Sequence, residues 1–434
     1  MIRSRFRFQQ VRLADTTSTH RGGQYLGALP ISMWAMLLNA FSMSAGFYML
    51  IPLVAVYYTD SLGFAATAVG LALAVRQFTQ QGLMLFIGPF AERIGYQPLI
   101  AGGMLVRAAG FAMFPFADTL PLLIAASVVA AVGGALFEIC ARAMMASLVV
   151  QEDVTTGFAL WGMATNVGIA LGPLIGALLI RSSFTWVCAA AAVMYVIGAL
   201  GTWILIPPPK RQAQMARTTG MLGTLSQVVR DRAFVLLALI MCGYYLLGMQ
   251  LFITVPLEAE RVSGTTSSLG LVFLVNSLVA IALQFPLVKL VTRFFSPITA
   301  IAVGTGLVAA ALAGLALVSS LWWLLLCVAL FSAARVGIEP VLNTVIARTA
   351  HDAGEGLLAS YFGFAALSIA VGGAAGQLLG GWLFDLATDR GQPMLPWLAL
   401  GAMGLLVATA LLVFSRSAGS QRFNAPASQQ AVAP

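Results

Sequence analysis

Charge is scarce in this chain of 434 residues: only 9% are Asp, Glu, Lys or Arg, where a soluble domain carries about 25%. Apolar residues make up 60% and mean hydropathy is +0.93. No water-soluble fold hides that much apolar surface, whereas a bilayer does. A long polar stretch is also missing, which excludes a separate soluble domain. Histidine is nearly absent. His20 and His351 both fall in polar segments, which argues against a histidine proton relay or a zinc centre. The four cysteines, Cys140, Cys188, Cys242 and Cys327, sit inside apolar runs without CxxC spacing. They read as small core residues rather than disulfide or metal ligands. No cofactor is expected.

What charge there is has a pattern. The net charge is +8, and Lys210 and Lys289 are the only lysines. The arginines lie in short segments between apolar runs, as in cytoplasmic loops of membrane proteins. This excludes a nucleic-acid partner. The first long apolar run starts near Pro30, after an arginine-rich tail, so no cleavable signal peptide is expected.

A spanning helix needs about 20 mainly apolar residues. The chain offers spans at 31–58, 67–90, 98–117, 120–148, 157–180, 184–206, 233–256, 268–290, 297–318, 321–348, 357–384 and 396–414. Twelve spans place both termini on one side. With that side cytoplasmic, sixteen inside cations (Arg3, Arg5, Arg7, Arg12, Arg21, Arg93, Lys210, Arg211, Arg217, Arg230, Arg232, Lys289, Arg293, Arg348, Arg416 and Arg422) face three outside ones, Arg181, Arg261 and Arg390. Cation bias of this kind sets orientation. Asp60, Asp118, Glu258, Glu260, Asp385 and Asp389 fall in the outside loops.

The expected fold is all-α: twelve transmembrane helices in two pseudo-symmetric six-helix bundles. The proline run at 207–209 ends a helix and opens the longest internal polar segment. The expected organisation is a cytoplasmic tail at 1–29, a first bundle at 30–206, a cytoplasmic linker at 207–232, a second bundle at 233–414 and a cytoplasmic tail at 415–434. The halves also match each other at a shift of 200. Ile169–Gly176 aligns with Ile369–Gly376, Val69–Val75 with Leu269–Val275, and Phe137-Glu138 with Ile338-Glu339 one residue further. Parallel repeats of this type hold a binding site between them.

Two motifs stand out. Gly88-Pro-Phe-Ala-Glu92-Arg93-Ile-Gly95 follows the second span and reads as a short cytoplasmic turn. In the fifth span, Gly168, Gly172 and Gly176 line one helix face at i, i+4 and i+8, letting another helix approach closely. Pro173 frees one backbone bond and permits a kink. A generic small-residue packing face is the plainer reading of that string.

The first motif resembles the loop motif Gly-x-x-x-Asp-Arg-x-Gly-Arg of the major facilitator superfamily. Glu92 replaces the usual aspartate and Tyr96 the usual basic residue. The second resembles the Gly-x(3)-Gly-Pro-x(2)-Gly motif of that superfamily's antiporter branches, with Gly373 in place of proline in the second half. Strings such as Gly70–Gly82, Arg107–Phe111, Gly243–Tyr245 and Gly380–Asp385 are similar to MdtH-like multidrug exporters of the drug:proton antiporter branch. The resemblance implies a multi-pass protein of the bacterial inner membrane that exports hydrophobic or cationic drugs. It implies alternating access driven by protons, a monomer in the lipid bilayer, and no enzymatic activity. An exporter or importer of one metabolite (a sugar, amino acid or siderophore) is the alternative. A non-transporting receptor wants a signalling domain, and a membrane enzyme wants a catalytic cluster; the sequence offers neither.

Charges inside the bilayer are expensive and are functional candidates. Arg76 lies among Gln77, Gln80 and Gln81 in the second span. It would position an acidic partner or a substrate group, or pair structurally. Arg107, in the third span, reads as structural. Glu138 with Arg142 and Glu339 with Arg335 each have i, i+4 spacing, so each pair faces one way on its helix. Either glutamate is a proton carrier or a structural ion-pair member. Where relatives carry an acid in the first helix, this chain has Asn39, and Val129 stands where they often carry an arginine. Against the resemblance, Glu138 becomes the leading proton carrier. Asn39, Gln77, Gln81, Asn166, Tyr244, Gln250, Asn276 and Gln284 are candidate cavity residues.

Overall fold

The computed structural model describes residues 31–148, 154–206, 227–265, 267–353, 358–417 and 423. Helices account for almost all of them, because in hydrocarbon each backbone N–H and C=O must find its partner within the segment. They run α1 (Ile31–Val56), α2 (Ala66–Ile94), α3 (Tyr96–Met113), α4 (Leu120–Leu148), α5 (Val154–Leu179), α6 (Phe184–Leu205), α7 (Arg232–Gly248), α8 (Thr254–Ser263), α9 (Ser268–Phe294), α10 (Pro297–Gly314), α11 (Leu321–Ala353), α12 (Leu358–Arg390) and α13 (Leu395–Ser415). Among the described residues, ten helical segments are long and apolar enough to cross a membrane. The remaining two predicted spans, 67–90 and 268–290, are helical too, as α2 and α9. The outer faces of the bundle helices are apolar to a degree water would punish: Ile204 of α6 is 75% exposed, Leu406 of α13 72% and Trp322 of α11 80%. Such faces suit lipid.

Several helices outrun their predicted ends. The second span continues to Ile94, and the eleventh to Arg390. The seventh is compound: α7 gives way to a 3-10 turn at Met249–Phe252 and resumes as α8. The linker, the tail at 1–29 and most of the tail at 415–434 lie outside the described residues.

The chain divides into two compact units. One gathers the described residues of Met1–Leu53 and Gly82–Gln214, the other those of Val54–Gln81 and Met215–Pro434. One boundary falls in the predicted linker. The other two fall inside helices, between Leu53 and Val54 in α1 and between Gln81 and Gly82 in α2. Within the first unit α3 packs on α4 and α6, with Phe111 edge-on to Tyr195 at 5.2 Å. Within the second unit α10 packs on α13 and α11. Its core includes Phe234, Tyr244, Tyr361 and Phe414. Asp231 caps α7 through the Phe234 N–H at 3.1 Å and also accepts from the Tyr361 hydroxyl at 3.0 Å.

The repeat is visible in the elements themselves. α3 and α10 start and stop 201 residues apart, and each ends in a 3-10 turn, Phe114–Phe116 and Leu315–Leu317. It is visible again in the packing. A Cβ on Gly168 would stand 2.6 Å from the carbonyl oxygen of Phe41, one on Gly172 2.5 Å from that of Ala45, and one on Gly176 2.5 Å from that of Met49. The face of α5 therefore lies backbone against backbone on α1. In the second unit a Cβ on Gly372 or Gly376 would overlap the carbonyl oxygens of Cys242 and Leu246, putting α12 on α7 with the glycines 200 residues on and their partners 197.

Within α5 this generates a paired prediction. Gly162 has open space where its Cβ would go. Gly162→Ala should raise stability by about 0.5–1 kcal/mol through helix propensity. Gly172→Ala should lower it by about 1–3 kcal/mol through overpacking against rigid backbone. Thermal unfolding of the two variants in detergent, side by side, checks the opposite signs.

Candidate functional site

The two Glu–Arg pairs are built differently. On α4, Arg142 Nη2 donates to Glu138 Oε1 at 2.5 Å. Their side chains are 62% and 30% exposed, so the pair is reachable rather than sealed. On α11, Arg335 Nη2 stands 3.8 Å from Glu339 Oε1. The Tyr244 hydroxyl, from α7, donates to the same carboxyl oxygen at 3.3 Å. Arg335 is shared further: its Nε reaches the Tyr244 oxygen and its Nη1 the Gly248 carbonyl, each at 3.5 Å. Its guanidinium also lies over the rings of Phe331 and Tyr244 at 5.7 and 6.0 Å. The helical spacing expected from sequence brings each pair together. The tyrosine that completes the α11 site comes from another helix.

Arg76 is buried, and its Nη1 and Nη2 donate to the Gln80 and Gln77 side-chain oxygens at 3.2 Å. The glutamines flanking it in sequence are thus its ligands in space, and Gln77 also packs on Gly373 of α12. Gln81 and Asn166 are half-buried. Arg107 is enclosed by three rings, Phe47, Phe111 and Tyr195, at 5.2, 5.6 and 5.7 Å from its guanidinium carbon. Cation–π attraction strengthens in a desolvated site, which gives the structural reading of Arg107 a mechanism.

Three candidate cavity residues bond within their own unit. Asn39 donates to Thr202 of α6 at 2.6 Å and both are buried. Gln250 donates to the carbonyls of Leu246 and Gly376 at 2.9 Å and accepts from Thr254 at 3.1 Å, stitching the turn after α7 to α12. Asn276 accepts from Ser332 of α11 at 2.8 Å. Polar side chains in hydrocarbon find such partners as a matter of course, and that is why polarity alone marked them.

The loop motif differs from the expected turn. Gly88, Glu92 and Arg93 belong to the last turns of α2, and their side chains lie outside the described residues, as does that of Gln284. Glutamate and arginine are good helix formers, and the chain turns only at Gly95. That residue has φ of 97° and stands at the N-cap of α3. In the antiporter motif, α5 runs through Pro173 as one helix while Gly168, Gly172 and Gly176 carry the α1 contact.

One residue escaped the sequence reading. Asp385, expected in an outside loop, lies within α12. Its carboxylate accepts from the Ala66 N–H at 2.8 Å, the Thr67 N–H at 2.6 Å and the Thr67 hydroxyl. The available signal was a deficiency elsewhere: Leu62-Gly63-Phe64-Ala65 supplies no side chain able to cap α2.

Comparison with known proteins agrees with this architecture. Residues 36–359 match the family model described as Major Facilitator Superfamily. The chain is 34% identical over 397 residues to "Multidrug resistance protein MdtH" of Aeromonas hydrophila, covering 91% of this chain and 98% of that protein. It is 33% identical to the protein of the same name from Escherichia coli, covering 88% and 93%. Among solved structures, the nucleoside transporter NupG superposes with a TM-score of 0.74 at 13% identity, over 89% of this chain and 99% of that one. A POT family transporter in complex with 5-aminolevulinic acid does so with a TM-score of 0.73 at 15% identity, over 89% and 96%. At those identities the likeness is one of fold. With ten helical segments fit to cross a bilayer, the chain is a multi-pass membrane protein, and it belongs to the major facilitator superfamily of transporters.

Proposed function

We infer that this protein is a secondary active exporter that drives hydrophobic or cationic drugs out of the cell against protons. The observation that carries the reading is the identity of about one residue in three with multidrug resistance proteins over nine-tenths of the chain. In this reading all twelve helical spans cross the bacterial inner membrane. The arginine-rich segments and both termini face the cytoplasm. Two six-helix halves, 30–206 and 233–414, joined by the linker at 207–232, alternate access to a site between them. The working unit is a monomer in the bilayer, its partners are a small hydrophobic solute and protons, and it catalyses no covalent chemistry.

Glu138 and Glu339 are the proton carriers in this scheme. Both sit in membrane helices, and both side chains remain partly reachable, at 30% and 39% exposed. An arginine stands one turn away on the same helix in each case, at 2.5 Å from Glu138 and 3.8 Å from Glu339. Tyr244 tunes the second site by donating to Glu339. Arg76, held by Gln77 and Gln80, is a fixed positive charge for an acidic group of the solute or a neighbour. The Gly168, Gly172, Pro173 and Gly176 face keeps α5 and α1 moving as one piece. The loop motif at Gly88, Glu92, Arg93 and Gly95 serves as a latch on the cytoplasmic side.

Inside-out vesicles containing the protein should accumulate a fluorescent lipophilic cation when the interior is acidified, and release it when a protonophore collapses the gradient. Failure across a broad panel of hydrophobic compounds, with sugars, amino acids or siderophores competing instead, overturns the drug reading. Glu138→Gln should lower proton-driven transport by at least about tenfold, the effect of about 1.4 kcal/mol, while leaving solute binding by fluorescence quenching unchanged. Glu339→Gln should do the same. Tyr244→Phe should shift the pH profile of transport without abolishing it. Unchanged proton-coupled efflux in Glu138→Gln and Glu339→Gln removes these residues from the coupling mechanism.

A further inference from the structure

α12 carries two glycine-containing faces, one residue out of phase. Gly372 and Gly376 turn to α7, and Gly380 to the 3-10 turn after it and the start of α8, inside the same repeat. The other face, Gly373, Gln377, Gly381 and Asp385, repeats every four residues and meets the first half of α2, which belongs to the other repeat. A Cβ on Gly70 would stand 2.5 Å from the Gln377 carbonyl oxygen. One on Gly381 would overlap the Ala66 carbonyl oxygen, and Gly373 packs on the Gln77 side chain. The stripe thus runs in backbone contact along α2 and terminates in the Asp385 carboxylate at the helix start.

That terminus explains the carboxylate. The first N–H groups of a helix have no intrahelical partner and carry partial positive charge. α2 begins after Ala65, whose side chain offers no cap. Asp385, more than 300 positions away, satisfies the Ala66 and Thr67 N–H groups and the Thr67 hydroxyl together. Hydrogen bonds to an ionised acceptor are among the strongest available. The position 200 residues earlier is Thr185, so the first repeat has no carboxylate at the equivalent place.

We propose that Asp385 is the outer latch of the transport cycle, tying the start of α2 to α12 and releasing it when the substrate site opens outward. The placement at the outer end rests on the orientation argued under Proposed function. Release is feasible at that end because water replaces each lost bond: the carboxylate hydrates, and so do the freed N–H groups. Asp385 is a positioning residue. It acts through α2 and need not touch the solute.

The test separates a latch from a simple helix cap. The reporter is Gln377→Cys, at a wholly buried residue whose backbone carbonyl meets Gly70 of α2, in a full-length chain freed of its four cysteines. It is labelled on intact cells with a membrane-impermeant maleimide. Asp385→Asn, an isosteric change, and Asp385→Ala should each raise the labelling rate by about tenfold, an effect of about 1.4 kcal/mol. Thr67→Val should raise it less. Ala65→Ser, added to Asp385→Asn, provides a local cap without a tie to α12, and labelling should stay fast. An unchanged rate in both Asp385 variants overturns the proposal. So does a return to the parent rate on adding Ala65→Ser, since Asp385 would then serve only to start the helix. Labelling only in inside-out vesicles overturns the orientation, and with it the outer placement, whether or not the rate depends on Asp385.

Discussion

Backbone-to-backbone contact between helices is the constraint on which the rest of this structure depends. In a bilayer, apolar side chains gain nothing by leaving lipid for one another, so helices associate through close packing and polar bonds. Gly168, Gly172 and Gly176 bring α5 onto the carbonyls of α1, and Gly372 and Gly376 bring α12 onto those of α7. A methyl group at most of these positions has nowhere to go, because what it meets is backbone rather than a movable side chain. The same contact occurs in both units, with the glycines 200 residues on and their partners 197, so the duplication persists as a packing solution as well as a sequence echo.

Once those contacts are fixed, the few charges have defined neighbours. Arg107 lies against three aromatic rings, Phe47, Phe111 and Tyr195. Arg76 is held by amides from its own helix. The glutamates differ from both arginines in remaining partly accessible, with the arginine of each pair one helical turn away.

Much of this was legible in the sequence, because hydrophobic length is a strong signal in a membrane chain. All twelve predicted spans fall on helices. The i, i+4 pairs and the glycine face of α5 are local in sequence, and both are found in space. What was not legible is what depends on distant partners. Asn39 is a polar residue in an apolar run, and only the position of Thr202 on α6 shows that it bonds there. Tyr244 joins Glu339 across 95 positions. The loop motif was read as a turn because glycine and proline usually punctuate soluble chains. Within a bilayer such residues are tolerated in helices, and α2 continues to Ile94.

Asp385 shows how the two kinds of contact divide the work of α12. Its face toward α7 includes a buried bond, donated by Gln250 of the turn after α7 to the carbonyl of Gly376. Breaking it would strand polar groups away from water, at a cost that keeps α12 and the turn after α7 together. Its face toward α2 ends instead in a part-buried carboxylate at the helix start, where Ala65 is exposed. Water able to reach that end offers substitutes for each bond, so separation there costs far less than at Gln250. One helix thereby carries a permanent seam and an exchangeable one. A one-residue change of phase along α12 is enough to provide both.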